Sequence, residues 1–264
     1  AQLPAVLVNV MRPGPGDGDI VACQGDYFQA VKGGGHGDYK LIVLAPASVQ
    51  EMNDFVDLGF ELSFKYRNPA MILSDGIIGQ MMEKVKLSPV KPRWTDEEVI
   101  KLNGSWATTG KTADRPRNIA TSLELDSARQ EQFNHKLQAK YKEIQEKEVR
   151  FEKIACDDAE YLFVAYGSSS RICQKAIDLA REKGIKVGLL RPITLFPYPT
   201  KAIQEMAEKV KGILTVEMSA GQMVEDVRLA VNGKVKVEHF GRFGGMIPSP
   251  NEVVKALEDL IIKG

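Results

Sequence analysis

Short, wholly apolar runs recur along this chain, separated by stretches in which apolar positions return every third or fourth residue. The first habit predicts strands buried on both faces, and the second predicts amphipathic helices. Positions 5–11 read as a buried strand, 41–44 as a second, 49–66 as an amphipathic helix and 70–73 as a third strand. Helices alternating with wholly apolar strands imply a parallel sheet covered on both sides.

From about 83 to 126 the periodicity vanishes and proline, glycine, threonine and charge take over, with Pro89, Pro92, Gly104, Gly110 and Pro116 as punctuation. This predicts a linker. A long helix is then expected over 127–151, with Phe133, Leu137, Tyr141, Ile144 and Phe151 on one stripe. The strand and helix alternation returns after it. Strands are expected at 161–165, 186–190, 212–217 and 235–239, and helices at 170–183, 200–209, 222–231 and 250–262.

A chain of 264 residues is long for one core and short for three. The expected fold is therefore α/β, with two doubly wound domains at 1–83 and 127–264 joined by a linker at 84–126. In such sheets ligands gather beyond the carboxyl ends of the strands, so the loops at 167–170, 191–199, 217–221 and 241–248 are the expected functional edge of the second domain. The run 1–11 already reads as a core strand with nothing before it, which raises the expectation that an N-terminal portion is missing.

Charge narrows the partners. The 35 basic and 35 acidic residues cancel, so no global field draws in nucleic acid or an anionic membrane, and neither is expected as a partner. Cys23, Cys156 and Cys173 lie far apart without a Cys-x-x-Cys pair, which argues against a disulfide framework and against a zinc or iron–sulfur nest on this chain. A reduced, cytoplasmic setting fits this usage, and no run of about 18 apolar residues suggests a membrane span.

Few motifs could carry chemistry. After the first strand comes Arg12-Pro13-Gly14-Pro15-Gly16-Asp17-Gly18, a loop whose glycine spacing departs from the dinucleotide pattern and whose prolines remove two amide donors. Arg12 itself, a bidentate cation at the end of a core strand, suits a carboxylate or phosphate ligand, with a structural salt bridge as the alternative. Lys32-Gly33-Gly34-Gly35-His36-Gly37-Asp38 sets an imidazole and a carboxylate among glycines, where backbone can approach a ligand or simply make a tight turn. The stretch 104–112 imitates a phosphate-binding loop but has one residue too many between its glycines. Gly167-Ser168-Ser169-Ser170 could hold an anion at a helix start, or its serines could cap that helix. His135 and His239 have no metal-ligand partner at useful spacing, and neither G-x-S-x-G nor H-E-x-x-H occurs. The methionines, such as Met81, Met82, Met206, Met218 and Met223, read as core or interface filler.

Taken together, GGGHGDY at 33–39, LAPASV at 44–49, KYRNPAMI at 65–72 and GQMM at 79–82 resemble the pyrimidine-binding domain of 2-oxoacid:ferredoxin oxidoreductase α subunits. LRPITLFPYP at 190–199, EMSAGQMV at 217–224 and GRFGGMIPSP at 241–250 are similar to that family's transketolase C-terminal-like domain. In the 2-oxoglutarate type the first loop reads R-x-G-P-S-T-G-x-P-T. Here Arg12, Gly14, Pro15 and Gly18 match, but Gly16-Asp17 replaces Ser-Thr and Val21 replaces the last Thr. That departure, with WATTG at 106–110 and RPRN at 115–118, resembles the branched-chain, 2-ketoisovalerate type.

The resemblance implies a subunit inactive alone. It would complete a thiamine diphosphate site with a β subunit that carries the diphosphate, its Mg²⁺ and an iron–sulfur cluster, alongside γ and possibly δ subunits. A 2-oxoacid would be decarboxylated, coenzyme A would take the acyl group, and ferredoxin would take the electrons. The family's catalytic acid would lie before residue 1. Of the residues present, Arg12 is the expected substrate or cofactor contact, Gly14, Pro15, Gly16 and Gly18 the pocket wall, and Gly35, His36 and Asp38 outer contacts. The rival readings are another thiamine enzyme component, of the 2-oxoacid dehydrogenase β or transketolase type, and a non-catalytic assembly module.

Overall fold

The computed structural model describes residues 1–87, 94–111 and 113–264. The linker prolines Pro89 and Pro92, and Thr112 of the stretch that imitates a phosphate loop, lie outside the described residues. Among these residues, no helix is long and apolar enough to cross a membrane.

The first half builds β1 (Val6–Met11), α1 (Tyr27–Val31), β2 (Ile42–Leu44), α2 (Val49–Tyr66), β3 (Ala70–Asp75) and α3 (Gly76–Gln80). In α2, Ser48 accepts a hydrogen bond from the Glu51 amide at the start, and Arg67 ends the helix in the left-handed region at φ 46°. Within the expected linker lies a helix, α4 (Asp96–Asn103), opened by a reciprocal cap between Thr95 and Glu98. The long helix α5 (Ser127–Lys147) follows.

The second half comprises β4 (Phe151–Ile154), β5 (Tyr161–Val164), α6 (Gly167–Glu182), β6 (Val187–Pro192), β7 (Thr194–Phe196), α7 (Thr200–Ala207), β8 (Gly212–Glu217), α8 (Met223–Val231), β9 (Lys236–Gly241) and α9 (Pro250–Ala256). The last turn, 257–262, loosens into π geometry.

Two sheets result, with strand orders β1-β3-β2-β7 and β4-β6-β5-β8-β9. Each is parallel except for one antiparallel edge strand, β7 in the first and β4 in the second. Both edge strands depart from the sequence expectation. The long helix stops at Lys147, and Phe151, expected on its apolar stripe, sits instead on β4 and is 38% exposed. The segment 194–196, expected as loop, crosses over and pairs with β2, Val43 opposite Phe196 and Leu44 opposite Thr194. Among the described residues β1 is the outer strand of its sheet, with Leu7, Val8 and Val10 exposed.

One hydrophobic cluster runs through both halves, joining Met11, Tyr27 and Ile42 to Tyr141, Leu162, Tyr166 and Met223. Phe163, Leu189, Leu214 and Val254 form a second cluster on the other face of the second sheet. Polar groups fasten the halves where apolar packing alone would leave orphaned amides. Asp75, 1% exposed, takes Ile77 and Ile78 amides at 3.0 and 3.3 Å, capping α3. The same carboxylate accepts from the Ser168 amide at 3.1 Å and the Ser168 hydroxyl at 2.6 Å, capping α6 of the other half. Where α5 ends, buried Glu148 accepts from Lys65, Tyr66 and Arg150. Burial pushes its carboxyl up, but these donors outweigh burial and hold it below the usual carboxylate range.

Removing the Asp75 carboxylate strands four donors in a dry seam. Asp75→Ala is expected to lose roughly 3–5 kcal/mol of stability, read as a lowered urea midpoint. A change below about 1 kcal/mol would show that the seam is not what holds the halves together.

Candidate functional site

The carboxyl ends of both sheets converge on the loop that follows β1. Met11 is opposite Asp75 in the strand register, so Arg12 emerges beside the carboxylate that caps α3 and α6. Its guanidinium donates to the carbonyls of Asp17 and Asp19 within its own loop. No carboxylate pairs with it among the described residues, so the structural salt bridge weighed from sequence is not formed. The loop closes through the Asp19 amide on the Pro13 carbonyl at 3.2 Å. Gly18 must be glycine there, because at φ 51° an added Cβ would fall 1.8 Å from the Pro13 oxygen. Gly16 faces open space, with nothing within 4 Å of a Cβ position.

The second half brackets this loop. Gly245, in the expected 241–248 edge, lies so close that an added Cβ would come 2.2 Å from a Val21 methyl. The loop's far end is tied down by Gln24, which is fully buried. The Gln24 side chain donates to the Tyr166 carbonyl at 2.9 Å and accepts from the Ser169 hydroxyl at 2.7 Å and the Met218 amide at 3.0 Å. Its own amide donates to the Met218 carbonyl at 2.8 Å. Cys23 beside it is buried, and burial pushes its thiol up. Ile20, 82% exposed, and Val21 leave an apolar rim next to Arg12.

The serine run, for which the sequence offered an anion site or helix capping, is the first turn of α6, because Gly167 already lies within that helix. Its anion is supplied from within, by Asp75. The same solution recurs at α8. Fully buried Glu217 accepts from the Gln222, Met223 and Val224 amides at 3.1, 2.9 and 3.0 Å and from the Ser219 hydroxyl at 3.1 Å. His239 reaches to 3.9 Å of this carboxylate, and its Nε2 is buried without a hydrogen-bond partner. Burial drives its pKa down, the Glu217 carboxylate pulls the other way, and Arg228 adds to the depression.

The glycine run 33–38 is elsewhere. It precedes β2 at the amino end of the first sheet, so the structure does not bring Gly35, His36 and Asp38 to Arg12. All three are exposed, and the Asp38 carbonyl accepts from Gln138 of α5 at 3.0 Å. His135 is exposed on α5. Among the described residues, no group of three or more His, Cys, Asp and Glu is arranged to hold a metal ion.

Sequence reasoning missed Gln24, Asp75 and Glu217. Each is a polar residue at the end of, or just beyond, an apolar stretch, the same signal that singled out Arg12. Their partners lie far off in the chain, so that signal carried no roles.

Comparison with known proteins gives two matching family models. One, described as "Pyruvate flavodoxin/ferredoxin oxidoreductase, thiamine diP-bdg", covers residues 1–155, and "Pyruvate:ferredoxin oxidoreductase core domain II" covers 159–253. The ketoisovalerate oxidoreductase subunit VorB of Methanothermobacter thermautotrophicus is 48% identical over 261 residues, 98% of this chain and 72% of that protein. The 2-oxoglutarate synthase subunit KorA of Archaeoglobus fulgidus is 35% identical over 97% of this chain and 71% of its own length. Among solved structures, 2-oxoglutarate:ferredoxin oxidoreductase from Magnetococcus marinus, with 2-oxoglutarate, coenzyme A and succinyl-CoA bound, shares the fold. Its TM-score is 0.78 at 24% identity, covering 98% of this chain and 49% of that one.

The buried His239, its pKa lowered, has a consequence for pH. Its folded pKa lies below the ordinary 6.5, so the unfolded chain binds this proton more readily. Stability should therefore be undiminished above about pH 6.5 and fall as pH drops below it, down to the folded value. His239→Gln should flatten the difference in melting temperature between pH 7 and pH 5; parallel curves for the two proteins would count against a buried neutral imidazole.

Proposed function

Since this chain belongs to the 2-oxoacid:ferredoxin oxidoreductase family, we propose that it is the α-type subunit of a branched-chain enzyme of that family. In this reading the assembled complex converts 2-ketoisovalerate, coenzyme A and oxidised ferredoxin to acyl-CoA, carbon dioxide and reduced ferredoxin. A β subunit carries the diphosphate half of the cofactor, Mg²⁺ and an iron–sulfur cluster, γ and δ subunits complete the electron path, and the complex works in the cytoplasm. Thiamine diphosphate, when bound, supplies the nucleophilic carbon and electron sink for decarboxylation.

The residues present fit half of such a site. Arg12 offers a guanidinium at the carboxyl end of a core strand, its Nη1 held by loop carbonyls and no carboxylate pairing with it among the described residues, and this observation carries the reading. Its donors would take the 2-oxoacid carboxylate in bidentate fashion and orient the neighbouring carbonyl. Gly14, Pro15, Gly16 and Gly18 form the wall against which the substrate would rest, with open space at Gly16 for a close approach. Ile20, and Val21 in the place of the 2-oxoglutarate pattern's last threonine, present hydrocarbon, which favours a branched aliphatic body over a second carboxylate. Gly35, His36 and Asp38 enter this proposal as outer contacts at the amino end of the sheet, where a partner subunit would approach.

Co-expression of the full-length gene with its partner subunits, followed by viologen reduction with 2-ketoisovalerate, 2-oxoglutarate and pyruvate, tests the assignment. Coenzyme-A-dependent reduction fastest with 2-ketoisovalerate is expected; preference for another acid would overturn the subtype. In that complex Arg12→Ala should lower kcat/KM for the 2-oxoacid by roughly 30- to 1,000-fold, the equivalent of about 2–4 kcal/mol for one charged contact. Arg12→Lys should recover part of it. Unchanged affinity and turnover in Arg12→Ala would sink the role given to this residue.

A further inference from the structure

Where the chain returns from the Arg12 loop it turns inward, and Ala22, Cys23 and Gln24 are buried. Both stems of the loop meet at one place. Met11, the last residue of β1, is level with Asp75. The backbone of Val21 and Ala22 passes so close to Gly76 that a Cβ on that glycine would lie 3.1 to 3.3 Å from it. The hydrogen bonds that the structure gives Arg12 go to the Asp17 and Asp19 carbonyls of its own loop, and the Asp19 amide binds the Pro13 carbonyl. Whatever fixes this loop therefore fixes the guanidinium.

On the outgoing side the loop is fixed by the ladder of β1 with β3. On the return side it is fixed by Gln24, whose every polar atom is engaged with the second half. Its side-chain nitrogen donates to the Tyr166 carbonyl, and its side-chain oxygen accepts from the Ser169 hydroxyl and the Met218 amide. Its main chain donates to the Met218 carbonyl and accepts from the Tyr166 hydroxyl at 3.4 Å.

This position asks for a side-chain amide, because one end must donate and the other must accept. A Cβ on Gly167 would sit 3.0 Å from both Gln24 Nε2 and Asp75 Oδ2, so a glutamate here would set a second carboxylate beside the first. Gln222 repeats the tie farther along, donating to the Gly25 carbonyl at 2.7 Å and accepting from the Phe28 amide at 2.9 Å. Loss of Gln24 would loosen the loop without detaching its stem.

We propose that Gln24 is a positioning residue for Arg12: its bonds to Met218, Tyr166 and Ser169 register the loop of the first half on the second half, and so set where the guanidinium meets the 2-oxoacid carboxylate. The inference rests on the substrate contact proposed above for Arg12. Gln24 is fully buried and acts through that residue.

Gln24→Met, close in shape and without polar ends, tests this in the complex of the full-length chain with its partner subunits. Two readouts separate the placing of the loop from its use. Hydrogen exchange at the Asp19 amide should quicken by roughly tenfold or more. The kcat/KM for 2-ketoisovalerate should fall by roughly tenfold or more. Added to Arg12→Ala, the same change should lower it by less than about threefold further, because nothing is left to position. Ser169→Ala removes one donor to Gln24 and should move both readouts the same way to a smaller extent; it carries the test should Gln24→Met fail to assemble. Tyr66→Phe, which loosens the tie at Glu148, should leave kcat/KM unchanged. Unaltered exchange at Asp19, full additivity with Arg12→Ala, or an equal loss in Tyr66→Phe would each overturn the proposal. Were Arg12→Ala alone to keep full activity, the substrate contact would fall, and exchange at Asp19 would decide whether Gln24 places the loop.

Discussion

The buried carboxylate of Asp75 is a central polar tie between the two halves of this molecule. It ends the central strand β3 and caps both the helix that follows it and a helix from the other sheet. A charge in a dry seam is tolerable only when every oxygen is met by donors, and here backbone amides at two helix starts meet it. The geometry has little slack, because moving either helix would leave a carboxylate or an amide without a partner. Gln24 extends the same seam, using main chain and side chain together to pin the loop of Arg12 to the end of β8.

This seam also decides where a ligand can be held. In doubly wound folds, helix starts beyond the carboxyl ends of strands are ready-made anion sites. Here α3, α6 and α8 are each served by a carboxylate of the same chain, Asp75 for the first two and Glu217 for the third. At this edge Arg12 is a cation with no carboxylate partner among the described residues, carried on a loop whose far end the seam ties down. Apolar positions 20 and 21 lie on the same loop, so a charged contact and an apolar contact are presented together.

Much of the architecture was legible because wholly apolar runs and helical periodicity survive in this chain, and the spans expected for α2, β8 and α8 lie within a residue of those observed. What escaped has physical causes. The strands β4 and β7 are short and pair antiparallel at sheet edges, with no strong period of their own. Arg12 stood out as a charge directly after a core strand, whereas Asp75 in the same kind of position did not. Its meaning lies in Ser168, which sequence distance conceals. The glycine run 33–38 was visible as a loop, but only the strand direction shows that it belongs to the other end of the sheet.

The crossing of β7 into the first sheet has a bearing on how the chain is made. Val43 and Leu44 find their edge partners only in 194–196, after the α5 helix and three strands of the second sheet have been laid down. Contacts this distant form late, because the intervening loop must close first. As the polypeptide leaves the ribosome, the flank of β2 therefore stays unpaired until most of the second half has emerged, and an unpaired strand edge invites association with other chains. The two sheets are thus one unit of synthesis, and the exposed interval of β2 is the stage at which a chaperone or an early-arriving partner subunit would matter most.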